Sequence, residues 1–360
     1  MHNTSPETEI RAEKSEARLP IFPRRLLWPL VALSLLFLVN LLISPEFFHL
    51  EVKDGRLYGS LIDVLNRSVP VAFLTIGMSL IIATGGIDLS VGAVMAIAGA
   101  VCANLMVGGV DNLFIVVGGG LCAGLVAGAV NGGLVGYFKI QPIVATLVFM
   151  VAGRGIAQLI NGGQIVTFQN ANFAFIGVGS AFGLPFPVVL LVGVLLCVHL
   201  LMRKTALGLF IEAVGCNPKA SYYLGINVAV IKFFVYCLAG VLAAMAGIVA
   251  TADIQGADAN NIGLWLELDA ILAVVIGGAS LLGGRFSLAA SIVGVLIIQA
   301  LSTTIILSGI EPKFNLLIKA SVVILVLLLQ SERFQTQIKT LFAMCDPRDR
   351  HNVGRELDGL

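Results

Sequence analysis

Between Thr75 and Ala100 two apolar runs are separated by the polar stretch GGIDLSVG, with Gly85, Gly86, Asp88 and Ser90 inside it. A carboxylate and a bent backbone between two such runs are costly in hydrocarbon, where no water satisfies unpaired groups. Two readings meet that cost. Either the break is sheltered by protein or a water-filled cavity, or it is a tight turn at the membrane surface with Asp88 or Ser90 capping the next helix. In both, two helices are joined by a short glycine-rich connection.

The same pattern recurs along the chain. Of 360 residues, 58% are hydrophobic and 12% charged, with a mean hydropathy of +0.98. That is about half the charge of a soluble protein. The fold class expected is all-α: a polytopic integral membrane protein of about ten transmembrane helices, some short or broken. The spans fall near 26–44, 69–84, 90–107, 113–137, 143–160, 185–202, 228–251, 268–282, 288–307 and 314–330. Eight or nine full spans plus a re-entrant segment is the rival count, because the second and eighth runs are short. Residues 1–25 read as a cytoplasmic tail, 26–330 as the membrane domain and 331–360 as a second cytoplasmic tail. Residues 1–23 contain no apolar signal core, so the first run reads as a retained helix. Arg24, Arg25, Lys139, Arg203, Lys204, Lys219, Arg285, Arg333 and Lys339 place both termini inside, against Lys53, Arg56, Arg67 and Lys313 outside. Net charge is +1, which gives no basis for nucleic-acid binding. The six cysteines show no pairing framework, so no disulfides are expected.

Several polar groups stand out against this background. Residues 45–68 read as a solvated outer loop. Span four carries Gly120, Gly124, Gly128, Gly132 and Gly136 on one slowly turning face, suited to close helix packing or to a helix sliding beside a pathway. Asn131 lies near that face. Arg154 and Gln158 sit inside span five. Arg154 either faces protein or water, with a carboxylate, Asp88 being one possibility, or helix-end carbonyls as partner, or snorkels to the outer surface. Residues 161–184 form an outer loop with room for a partly inserted segment. The loop 203–227 reads as a helix ending near Gly215 and restarting at Asn217 and Pro218. Its exposed apolar residues Leu207, Phe210 and Ile211 suit it to docking a soluble partner. Asp253, Asp258, Asn260, Glu267 and Asp269 cluster in an outer loop, where carboxylates and amides suit sugar hydroxyls, helix capping or protein contact. Gln299 and Thr303 belong to a polar stripe in span nine. GGIDLS at Gly85 has a faint echo in GGRFS at Gly283.

The chain has no phosphate-binding glycine loop of the G-x-x-x-x-G-K-[ST] type, no H-E-x-x-H and no Cys/His metal spacing. It has no nucleophile–base constellation, and its four histidines are scattered. Neither an enzyme nor a metal site is therefore expected. Buried ionisable groups that could drive a coupled carrier are few, so coupling energy would come from a separate subunit.

The stretches IATGGIDLSVGAVMAIAGA, QPIVATLVFMVAGRG, RKTALGLFIEAVGCNPKA and GADANNIGLWLELDAILAVVIGGASLLGGRF resemble the permease subunits of bacterial ribose-type sugar ABC importers. The likeness runs from about residue 60 to 330. GQIVTF and ADANNIGLWLELDAILAVVIGG carry a closer likeness to permeases of galactofuranose importers. The resemblance implies a multi-pass inner-membrane subunit that moves a monosaccharide and takes no cofactor itself, ATP being used by a partner ATPase. It implies three protein partners: that ATPase, a periplasmic sugar-binding protein and a second, related permease chain. By position, Glu212, Gly215 and Asn217 would couple to the ATPase. Asp88, Ser90, Asn131, Arg154, Gln158, Gln299 and Thr303 would line the pathway. Asp253, Asp258, Asn260, Glu267 and Asp269 would dock or gate on the periplasmic side. An ATP-independent sugar facilitator, an importer of another aldose such as ribose, and a membrane enzyme acting on lipid or glycan carriers are the alternatives.

Overall fold

The computed structural model describes residues 24–43, 45–53, 56–309, 311 and 314–330. The predicted tails lie outside the described residues, apart from Arg24 and Arg25 at the start of the first helix. The helices are α1 (Arg24–Ile43), α2 (Ser60–Ala83), α3 (Val91–Val107), α4 (Leu113–Gly132), α5 (Pro142–Ile160), α6 (Ala171–Val178) and α7 (Phe186–Lys204). They continue as α8 (Ala206–Cys216), α9 (Pro218–Tyr223), α10 (Val228–Ile254), α11 (Leu266–Ile276), α12 (Leu288–Leu307) and α13 (Asn315–Gln330). A π-helical turn, Gly133–Tyr137, extends α4. Short antiparallel strand pairs join Glu51–Lys53 to Arg56–Tyr58, Val166–Thr167 to Gly256–Ala257, and Ser180–Ala181 to Leu184–Pro185.

Among the described residues, six helices are long and apolar enough to cross a membrane: α2, α4 with its π turn, α5, α7, α10 and α12. Every one of the ten predicted spans contains a helix, but two boundaries move. α2 starts at Ser60, not at 69, so residues 60–68 are helix and not solvated loop. Asp63 in its first turn complements the N-terminal end of the helix dipole, and the run is long enough to cross with a polar first turn outside. The predicted span 268–282 is the 11-residue helix α11. At 1.5 Å per residue it covers about 16 Å, half of a bilayer core.

Helices α2 and α10 form the centre. Residues 71–84 are buried without interruption, as expected of a helix that is apolar on every side. α10 packs on α2, α3 and α4. The glycine face of α4 meets it: a methyl group at Gly124 would strike the carbonyl oxygen of Gly240, and one at Gly128 the carbonyl oxygen of Tyr236. The ladder therefore lets two backbones touch.

Candidate functional site

The break between α2 and α3 is buried. Asp88 is 4% exposed, and Ser90 and Asn131 are buried beside it. The Asp88 carboxylate accepts from the Ser90 N–H at 2.8 Å and from the Ser90 hydroxyl at 2.6 Å. The Ser90 hydroxyl in turn accepts from Asn131 Nδ2 at 2.7 Å. One donor chain thus runs from α4 to the break. Ser90 stands at the N-cap of α3, yet its side chain makes no capping bond. The sheltered reading holds, with Asp88 satisfying the orphan N–H of Ser90. Thr146 on α5 accepts from the Leu89 N–H at 3.2 Å and fastens the other side. Asn131 Oδ1 and the Tyr236 hydroxyl are buried without hydrogen-bond partners among the described residues.

A second irregular stretch lies between α10 and α11. At one end, Asn161 Nδ2 donates to the Ala257 carbonyl at 2.9 Å, and Asn104 Nδ2 on α3 donates to Asn161 Oδ1 at 2.8 Å. At the other end, Gly263 packs on Gly92, in the first turn of α3. From Asn104 to Gly92 is twelve residues of helix, about 18 Å. The segment 257–263 therefore descends along α3 as non-helical backbone, and α11 begins only at the bottom. The predicted outer loop 253–269 is corrected accordingly: only its first part stays at the helix ends.

Arg154 supports the descent. Its Nη1 donates to the carbonyls of Ala259 (3.0 Å) and Ile262 (2.6 Å). Irregular backbone at membrane depth needs such partners. Asp88 is not the partner of Arg154: its carboxylate is taken by Ser90, and the Arg154 backbone lies eight residues, about 12 Å, along α5 from Thr146, which touches the break. Nor does Arg154 snorkel to the surface. Gln158 Nε2, one turn further, donates to Asn260 Oδ1 at 2.6 Å. Asp258 accepts from the backbone of Asn260 (2.9 Å) and Asn261 (3.2 Å) and from Asn261 Nδ2 (2.6 Å), which turns the chain downward. The Asn261 amide, more than any other contact, holds the Asp258 carboxyl below the usual carboxylate range. Glu267 is buried, with Oε2 against the Gly92 turn and unpaired among the described residues.

The loop 203–227 folds as the sequence indicates: α8 ends at Cys216, and Asn217 caps α9 by accepting from the Ala220 N–H at 3.0 Å, with Pro218 at the first helical position. Of the three residues expected to be exposed, Ile211 is fully buried and Leu207 and Phe210 are half-buried against the same core, while Leu209 is exposed. Ile211 joins the core cluster that includes the end of α2, so the outward apolar contact shifts by half a turn. Gly215 packs against the Ala83 carbonyl at the start of the break, and the Gly284 N–H donates to that carbonyl at 2.9 Å. Gly283 lies against Gly85. The two echoed breaks therefore meet, with the end of α8 between them.

Other predicted groups stay apart. Gln299 and Thr303 lie on α12, and no hydrogen bond among the described residues joins them to either cluster; neighbouring Ser302 and Thr304 bond back to their own helix. Asp253 is exposed at the end of α10. Glu212 is half-buried on α8. Asp269 pairs with Lys319 of α13 at 2.9 Å, both largely buried. Lys319 escapes a reading based on run length. A lysine inside one apolar run and an aspartate inside another are the signal that would have found the pair.

Residues 60–327 match the family described as branched-chain amino acid transport system, permease component. The galactofuranose transporter permease protein YtfT of Escherichia coli strain K12 is 57% identical over 321 residues, 88% of this chain and 94% of that protein. The fructose import permease protein FruF of Bifidobacterium longum is 40% identical over 89% of this chain and 93% of its own length. The ribose import permease protein RbsC of Escherichia coli strain K12 is 36% identical over 84% and 93%. No solved structure matches. Matched from the start of α2 into α13, this all-α, multi-pass membrane chain belongs to that permease family.

Proposed function

We propose that this chain is the permease subunit of an ATP-driven ABC importer that carries a monosaccharide, galactofuranose, across the bacterial inner membrane. The observation that carries the reading is the 57% identity to the galactofuranose permease along 88% of the chain. Fructose and ribose import permeases at 40% and 36% identity support the sugar class. ATP is bound and hydrolysed by a partner subunit, a periplasmic binding protein delivers the sugar, and a second permease chain completes the pathway. Both termini are cytoplasmic.

The geometry suggests how the chain takes part. The end of α8 touches Ala83 and Gly284 through Gly215, so a push on the 203–227 loop reaches both glycine breaks without an intermediary. Glu212 and Asn217 flank that contact. The break carrying Asp88, Ser90 and Asn131 and the descent held by Arg154 and Gln158 are the two places where helical backbone is interrupted beside α3. Short non-helical segments of this kind are where a transporter can change access without unfolding a helix. Gln299 and Thr303 contribute from α12; Asp253, Asp258 and Asn260 border the opposite end, while Glu267 lies at the foot of the descent against Gly92 and Asp269 is taken up by Lys319. The pathway binds sugar weakly, because the binding protein supplies affinity and release must be fast.

The test is uptake of labelled galactofuranose into proteoliposomes holding this chain with its partner permease, ATPase and binding protein. The expected result is uptake that requires ATP and is competed by the furanose but not by galactopyranose or ribose. ATP-driven uptake of ribose instead would retain the importer and discard the substrate. Equal uptake without ATP would overturn the importer reading.

A further inference from the structure

At the helix ends carrying Lys139, a cavity of about 680 Å³ opens between the α4–α5 turn, α9 and the start of α10. Three lysines line it: Lys139 from the turn, Lys219 from α9 and Lys232 from the second turn of α10. No carboxylate lines it, and none of the three lysines forms an ion pair among the described residues. Lys232 is half-buried against the wall, so its charge lacks both full hydration and a counter-ion. Asn227, Tyr222 and Tyr223 add hydrogen-bonding groups at the rim, with the two tyrosines largely exposed.

The wall beside the lysines is apolar. Ile140 and Pro142 line the cavity, and their neighbours in sequence Phe138, Ile143 and Val144 are exposed, Phe138 at 76%. The site therefore presents unpaired positive charge at one end and exposed hydrocarbon at the other. Exposed tyrosines are typical of the headgroup level of a bilayer. A free phosphate would use only the lysines. An acidic protein surface would use the lysines and leave Phe138, Ile143 and Val144 to the surrounding bilayer. A phospholipid with an anionic headgroup uses both ends at once.

We propose that this groove binds an anionic phospholipid, its phosphate held by Lys139, Lys219 and Lys232 and its acyl chain lying along Phe138 and the first turn of α5. The lipid thereby bridges α9, in the 203–227 loop, to the α4–α5 turn. This binding does not depend on which solute the chain carries.

The test is native mass spectrometry of the full-length chain released from nanodiscs of mixed phosphatidylglycerol and phosphatidylethanolamine. The wild type is expected to retain phosphatidylglycerol preferentially. The combined Lys139→Gln, Lys219→Gln, Lys232→Gln variant is expected to lose roughly a hundredfold in that preference, since each basic group near a headgroup contributes about a fivefold factor. Lys232→Gln alone is expected to lose about fivefold, which keeps the test usable if the triple variant fails to fold. Lys232→Arg should retain the lipid. Inorganic phosphate at millimolar concentration should not displace it. Equal retention of the two lipids by wild type, unchanged retention in both glutamine variants, or displacement by phosphate would overturn the proposal. So would loss of the ATPase subunit from the assembled complex with lipid retention unchanged, because the groove would then be a protein dock.

Discussion

The break at residues 84–90 and the descent at 257–263 pose the same physical problem and solve it differently. Each puts non-helical backbone beside α3 in the interior of a membrane protein. The break is short, and much of its demand is met by its own side chains: Asp88 takes the Ser90 N–H and hydroxyl. Thr146 and Asn131 add single bonds from neighbours. The descent belongs to a longer gap, the eleven residues 255–265 between α10 and α11; it turns on its own Asp258, but its deeper carbonyls at 259 and 262 depend on one guanidinium from α5, over a hundred residues earlier in sequence. A short interruption can be self-sufficient. A long one needs a donor with several N–H groups and enough reach to serve two carbonyls, which is what arginine offers.

Removing each support breaks the comparison at its strongest point. Arg154→Ala should be the most damaging change, costing about 4 kcal/mol, because it strands two buried carbonyls and leaves the nearby carboxylates of Glu267 and Asp258 uncompensated. Thermal unfolding of the detergent-solubilised chain reads this directly, and Arg154→Lys should recover part of it. An Arg154→Ala protein as stable as wild type would mean that the descent holds itself. Next comes the anchor at the far side of α11. Lys319→Ala leaves Asp269 buried and unpaired and should cost about 3 kcal/mol. The exchange Asp269→Lys with Lys319→Asp should restore much of the loss if the pair acts as a tether between α11 and α13. If the exchange is as unstable as the single change, the contact is incidental.

This difference also explains what could be read from the residues alone. GGIDLSVG announces its break because glycines, a carboxylate and a serine are adjacent in sequence, and the helix limits near Ala83 and Val91 follow from it. The 203–227 loop is legible for the same reason: Asn217 and Pro218 are local stop-and-start signals. The descent is not legible. Asp258, Asn260 and Asn261 look like any polar loop, and nothing local says that the chain goes inward, since its partner Arg154 lies on another helix. Arg154 is recognisable as needing a carboxylate or carbonyl partner, but carbonyl oxygens carry no sequence signature, so the ones at 259 and 262 are not named by the residues alone. Ile211 was misplaced because an 11-residue helix between two turns gives too short a pattern to fix its rotation. Membership in the permease family was readable from the long motifs. The meeting of the two glycine breaks around Gly215 needed the fold.

The smaller effects sharpen the contrast. Asp88→Ala should cost about 2 kcal/mol, less than Arg154→Ala, because it orphans one N–H and one hydroxyl that can turn elsewhere. Asp88→Asn, which still accepts, should cost less again. The smallest effect should be a pH dependence confined to the top of the descent. Hydrogen bonds from Asn261 and from the 260–261 backbone hold the folded Asp258 carboxyl below its ordinary value of 3.8. A lowered folded-state value means that these bonds contribute their full stability above the ordinary value and lose it as pH falls through the folded one. Stability at this turn should therefore be flat from neutral pH down to about 4 and decline below that. Trp265, at the foot of the descent and half-exposed, is a local reporter once Trp28 is replaced by Phe. Its fluorescence should show an acid limb in wild type that is absent in Asp258→Asn. An identical limb in both would mean that Asp258 is not the acid-sensitive support of this turn.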